Sequence, residues 1–154
     1  MNMLPTRIIL ISSVKPEPTT GGETILHRHL VNNPEIELII YRKETKDSLF
    51  QKLVVRTLDR ISNTRFHRWA QDIKFILSRV FPQKISHIEG LSQKTVVMTV
   101  AHGNLYNVAR IFAEENGLPL VTFFHDWWPD IVGIHDWIRP GLQRQFFELY
   151  KHSS

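Results

Sequence analysis

The run Leu120-Val-Thr-Phe-Phe ends abruptly at His125-Asp-Trp-Trp-Pro-Asp130. Polar groups that follow directly on a short apolar β-type segment lie at the carboxyl end of a buried strand, where ligands bind in open α/β sheets. The same pattern occurs twice more. Arg7-Ile-Ile-Leu-Ile-Ser-Ser13 runs into a loop ending in Gly21-Gly22, and Thr95-Val-Val-Met-Thr-Val-Ala101 runs into His102-Gly103-Asn104. Three strands are thus predicted to deliver glycines and histidines to one rim.

The segments between these strands set the fold class. The run from residue 7 to 13 is apolar at its centre without alternation, as in strands covered on both faces. Lys15 to Gly22 is a loop punctuated by two prolines and two glycines. A helix is predicted from Gly22 or Glu23 to near Asn32-Asn33-Pro34, with Ile25, Leu26, His29 and Leu30 at helical spacing, and Ile36 to Tyr41 is a second strand. This βαβ-sized unit predicts an α/β fold with a Rossmann-like, doubly wound, mainly parallel sheet. Residues 47 to 81 read as two helices parted at Ser62-Asn63-Thr64. Phe50, Leu53, Val54, Leu58 and Ile61 form the apolar stripe of the first, and Phe66, Trp69, Ala70, Ile73, Ile76, Leu77 and Val80 that of the second. A helix from Asn104 to Glu115 is stopped by Asn116-Gly117, a strand follows over 119–124, and a last helix runs from Pro140 to Tyr150. A helix that has packed on such a sheet usually feeds another strand, so residues 1–154 read as a single, unfinished domain.

The chain's 154 residues are enough for one domain with a core. The absence of cysteine excludes disulfides, thiolate catalysis and a thiolate zinc site, and fits a reducing compartment. No signal peptide is visible, and no apolar run reaches the roughly 20 residues of a spanning helix. The expectation is a soluble or peripheral cytoplasmic protein. The net charge of +4 is unevenly placed: residues 42–94 carry 12 Lys+Arg against 5 Asp+Glu, the remainder 7 against 10. The basic segment can meet phosphates, anionic lipid or nucleic acid, or can be a solvated face. Its aromatics fall on the apolar stripes and do not interleave with the basic face as stacking platforms would, which argues against nucleic acid.

The rim residues each admit two readings. Gly21 and Gly22 open a helix whose free N–H groups suit a phosphate, or they form a plain turn; neither a dinucleotide fingerprint nor a Walker loop is present. His125 and Asp126 suit acid/base work or polar contact to a sugar or phosphate, or His125 caps its strand. With Asp130, His135 and Asp136 they also form a His/carboxylate group that would suit a divalent metal, although its spacing matches no standard site. Asn104 reads best as an N-cap. Trp127 and Trp128 stack on a ligand or plug the end of the sheet.

Taken in order, these loops resemble a known family. Pro18 to Glu23 resembles a Pro-x-x-Gly-Gly-x-Glu loop with one residue fewer. Ala101-His-Gly103, Gly117-Leu-Pro-Leu-Val121 and Thr122-Phe-Phe-His-Asp-x-x-Pro-Asp130 follow, each in its place after a strand or helix. The whole, from residue 7 to about 150, is similar to the N-terminal domain of GT-B glycosyltransferases of the retaining family 4 group. That resemblance implies an acceptor-side domain facing a nucleotide-sugar donor used as co-substrate, with no further cofactor and no metal. Gly21 and Gly22 would approach the donor diphosphate, His125 the donor sugar as the catalytic residue, and His102 the cleft beside it. Glu23, Asn104, Asp126 and Trp127 would be cleft or acceptor contacts. The basic segment over 42–94 would give peripheral contact with the inner face of a membrane.

The departure from the family is the missing half. Its C-terminal domain binds the nucleotide sugar through basic residues and a paired-glutamate motif, and neither is in this chain. A truncated gene product, a deliberately shortened chain and one subunit of a split enzyme all predict inactivity alone. Two rival functions stay open: a non-catalytic module that binds a partner subunit or a membrane, and a small metal-dependent hydrolase built on His125, Asp126, Asp130, His135 and Asp136.

Overall fold

The three apolar runs become strands, and Ile36–Ile40 joins them. In the computed structural model, which describes residues 6–19, 21–41, 49–80, 85, 88–91, 94–124 and 126–153, the strands are β1 (Thr6–Leu10), β2 (Ile36–Ile40), β3 (Thr95–Val100) and β4 (Leu120–Phe123). They form one parallel sheet in the order β2-β1-β3-β4. Ile9 pairs with Ile39 on one side and Val97 on the other, and Val97 pairs in turn with Leu120. The ladder continues one step past the strand ends: Ile11 N–H donates to Met98 O and Ala101 N–H to Phe123 O, each at 2.9 Å. Beyond β4, Ser153 makes a parallel bridge to Leu120, and its hydroxyl donates to Thr122 Oγ1 at 2.7 Å.

Successive side chains point to opposite faces of a strand, and here both faces are covered. Ile8, Leu10, Met98 and Val100 pack with Leu26 and Leu30. These leucines come from α1 (Gly21–Leu26) and the π-helical turn that continues it, His27–Val31. Ile9, Ile11, Val97 and Ala101 face the other way, onto the larger core. That core takes Phe75 from α3 (His67–Val80), Val108, Ala109 and Phe112 from α4 (Leu105–Asn116), and Phe146 and Leu149 from α6 (Arg139–His152). Burial on both faces explains why β1 and β3 read as continuous apolar runs. Phe146 and Leu149 have no solvent exposure, and each such burial contributes roughly 1.5–3 kcal/mol. The one hydroxyl buried on β3 near the rim is satisfied: Thr99 Oγ1 donates to Ile11 O at 2.7 Å.

Helix ends follow local chemistry. Gly117 stops α4 with φ +62°, and its N–H turns back to the carbonyls of Ala113 and Glu114, a left-handed cap that suits glycine. Asn104 stands at the opposite end, but its side chain makes no capping bond. Its position at the N-cap is as expected, but the side-chain cap is not made: its backbone is already near-helical (φ −115°, ψ −9°), whereas a capping side chain needs an extended residue to reach the second or third N–H. The His-Asp loop also contains a turn that was not expected, α5 (Trp128–Ile131), with Pro129 in its first turn, where no N–H is needed.

The helix pair α2 (Leu49–Ser62) and α3 breaks close to the predicted place. The expected stripe of α3 is buried only in part. Ala70 is buried as expected, and with it Asp72 and Phe75, which the stripe left out. Phe66, Trp69, Ile73, Ile76 and Val80, spaced three and four apart, are between 40 and 61 % exposed. Phe75 enters the core with α6, Asp72 ties to the loop before α6, and Lys74 reaches Asp59 at 2.9 Å and Ser62 at 3.0 Å on α2. Those contacts hold the helix with its apolar stripe outward.

Candidate functional site

The strand order fixes where the rim is. The chain passes from β1 to β2 on one side and reaches β3 on the other, so β1 and β3 are neighbours whose connections leave in opposite directions. Such a topological switch point opens a crevice beyond the carboxyl ends of the two strands. The loops that border it are residues 11–19 after β1 and 101–104 after β3.

These two loops touch. Gly103 has φ +68°, and a β-carbon placed on it would lie 2.5 Å from Ser13 Oγ and 2.9 Å from Ser13 Cβ. Glycine is required there twice, for the left-handed backbone and for the approach of Ser13. Just before it, His102 N–H donates back to Val100 O at 2.7 Å, a three-residue turn that ends the strand. On the β1 side, Ser12 Oγ accepts from Val14 N–H at 3.0 Å and sets the loop's first bend. The loop ends at Gly21, which opens α1 with φ +25° and has open space where a side chain would stand. Gly22 follows as the second residue of α1. Glu23 turns back on the loop: its Oε2 accepts from Thr19 Oγ1 at 2.5 Å.

The third loop, after β4, reaches the second through an aromatic contact. The His102 ring is 4.0 Å from that of Trp128, tilted by 50°, and His102 itself is exposed. Sequence reasoning put Trp127 among the cleft contacts. Its ring packs edge-on against Phe146 and Phe147 of α6, at 5.4 and 5.5 Å, and stays 37 % exposed, while Trp128 is the one that meets His102. Both tryptophans were visible in the sequence, but only the turn of α5 decides which one faces His102. Asp126 is exposed beside them. His125, to which the resemblance gave the central role, lies outside the described residues.

The His/carboxylate group proposed for a metal is drawn apart among the described residues. His135 is bonded to Asp72 on α3, Asp136 pairs with Arg139 at 3.5 Å, and no three described His, Asp or Glu side chains come together as a metal site. The Asp72–His135 pair was missed by sequence reasoning. Its members are 63 positions apart, and no local pattern links them.

One titratable group in the core is clearly perturbed. Burial pushes the Tyr106 phenol far above its ordinary value, and Arg110 nearby opposes this only in part. Its hydroxyl donates to Gln145 Oε1 on α6 at 3.1 Å, so it acts as a structural donor between α4 and α6. Among the described residues no helix is long and apolar enough to cross a membrane. No protein family, no curated protein and no solved structure matches the chain.

Proposed function

We propose that this chain is the acceptor-side half of a glycosyltransferase of GT-B architecture. Its sheet would be a Rossmann-like one, and it would work with a separate donor-binding domain. The observation that carries the reading is the meeting of the β1 and β3 loops at the switch point, Ser13 against Gly103; the loop after β1 then leads into α1, which begins at Gly21. In this reading the first N–H groups of α1, at Gly21 and Gly22, face the donor diphosphate and stabilise charge on the departing group. His102, steadied by Trp128, lines the cleft, and His125 holds the donor sugar, a role that rests on its place in the sequence.

Calorimetric titration with UDP-glucose and GDP-mannose tests this reading, with the chain alone and with a candidate donor domain added. Binding only with the donor domain present is the expected result. Tight binding by the chain alone would misplace the donor site, and no heat in either arm would sink the transferase reading.

A second reading, a module that docks on an anionic membrane, is favoured by one observation. The exposed stripe of α3 (Trp69, Ile73, Ile76 and Val80), with Phe66 just before it, lies beside exposed arginines at 65, 68 and 79. An apolar face with basic neighbours suits an interfacial helix. Sedimentation with phosphatidylglycerol vesicles, absent with phosphatidylcholine alone, is the expected outcome; equal sedimentation with both, or with neither, removes this reading.

A further inference from the structure

The most tightly built polar arrangement lies outside the strand-end loops, on α3. Asp72 is 1 % exposed, and both its carboxylate oxygens serve one residue. Oδ1 accepts from the His135 backbone N–H at 3.0 Å, and Oδ2 meets His135 Nδ1 at 2.6 Å. A carboxylate accepts hydrogen bonds and has none to give, so Nδ1 is the protonated nitrogen. On the neutral ring this leaves Nε2 with a lone pair and no proton. Nε2 is on the ring edge away from Asp72, the side chain is 29 % exposed, and among the described residues none is bonded to that nitrogen.

The backbone bond alone would tie the loop to α3; the second bond orients a ring. Beside that ring is Trp69, three positions before Asp72 on the same helix. Its indole is 4.8 Å from the imidazole at 55°, and the residue is 55 % exposed. A fixed acceptor nitrogen therefore stands next to a half-open aromatic face.

We propose that His135, oriented by Asp72 and flanked by Trp69, is a binding site for a saccharide. A sugar hydroxyl donates to Nε2, and the C–H face of the sugar ring lies on the indole. Saccharides present both features together, an O–H donor and an apolar ring face. A phosphate fits less well, because it offers Nε2 little proton and the buried group behind the ring is a carboxylate. This deepens the acceptor-side reading by naming the acceptor's class, while the geometry behind it does not involve the donor.

Long-range nitrogen–proton spectra of the whole chain test the premise. His135 is expected as the Nδ1–H tautomer, and an Nε2–H tautomer overturns the proposal. Titration with methyl α-mannoside, methyl β-glucoside and cellobiose is then expected to give saturable shifts at His135 and at the Trp69 indole N–H. No shift with any of the three overturns it, and so does an equal response to glycerol, which has hydroxyls but no ring face.

In Asp72→Asn the amide oxygen must still accept the His135 backbone N–H, so the amide nitrogen faces Nδ1 and donates to it. That reverses the tautomer and makes Nε2 a donor. Sugar binding is expected to weaken about tenfold or more, since a site built for one hydrogen-bond sense rejects the other. Trp69→Ala removes a half-exposed side chain, so it keeps the test decisive should Asp72→Asn fail to fold; it too is expected to weaken binding about tenfold, and unchanged affinity overturns the site. Sugar binding here without transfer from any nucleotide sugar, once a donor domain is added, would overturn the transferase reading and leave this site standing. Transfer without these shifts would do the reverse.

Discussion

Ser13 and Gly103 are in contact across the switch point of the sheet, with room between them for a hydrogen and not for a methyl group. Ser13 belongs to the loop after β1 and Gly103 to the loop after β3, so the crevice expected between two diverging connections is closed at its base. The His102–Trp128 ring contact stands next to this meeting point in the chain, one residue before Gly103. The Ser13–Gly103 contact therefore links the chain's local glycine chemistry to the position of the candidate cleft.

Gly103→Ala should be the most damaging single methyl in the rim loops. The left-handed backbone at φ +68° adds roughly 1–2 kcal/mol for a residue with a β-carbon. The clash with Ser13 adds about 1–3 kcal/mol of overpacking. Urea unfolding of the variant should show both losses. Adding Ser13→Gly should relieve the second and leave the first. A double variant no more stable than Gly103→Ala alone would mean that Ser13 is not the obstacle.

Asp72→Ala should lower stability by about 1–3 kcal/mol, because the His135 N–H and the imidazole both lose the buried carboxylate that accepts from them. The change should be local. Hydrogen exchange should speed up over residues 132–138, which the aspartate ties to α3, and stay slow in β1 and β3. Uniform acceleration across the sheet would instead make Asp72 a determinant of the whole fold.

Tyr106 gives the protein a defined alkaline weakness. Burial raises its folded-state pKa above the unfolded value. Its contribution is therefore fully present below about pH 10, the ordinary tyrosine value, and is lost as pH rises through the folded-state pKa. Tyr106 is expected to stay protonated past the ordinary range, until the fold opens. Absorbance titration near the phenolate band should show a late ionisation that coincides with unfolding. Tyr106→Phe should remove the late step and flatten the loss of stability above that pH, at the expense of the bond to Gln145.

Much of the fold was legible locally. The strands could be read because burial on both faces removes alternation, and Gly117 could be read because only the end of a helix explains an Asn-Gly pair after an amphipathic run. Strand order could not be read, since nothing in β1 or β3 says that they are neighbours. The rim glycines and His102 were therefore foreseen as residues, while the contact of Ser13 with Gly103 and the choice of Trp128 over Trp127 were not. The Asp72–His135 pair was invisible for a related reason: a buried carboxylate on an amphipathic helix reads as a surface charge until its partner, from a distant loop, is placed against it.

Helix α3 shows most directly how tertiary contacts override a pattern, and it can be tested. Periodicity alone makes Ile76 a core residue and leaves its neighbour Phe75 beside it; the structure buries Phe75 at 7 % exposure and leaves Ile76 40 % exposed. Phe75→Ala should therefore cost about 3–5 kcal/mol, as for a large core side chain. Ile76→Ala should cost clearly less, about 1 kcal/mol, since the residue is already 40 % exposed and alanine is the better helix former. The two variants differ by one position, so the comparison cancels any general weakness of the helix. Equal losses would return the apolar stripe to the core and turn α3 over, and Asp72 would then no longer be held against His135.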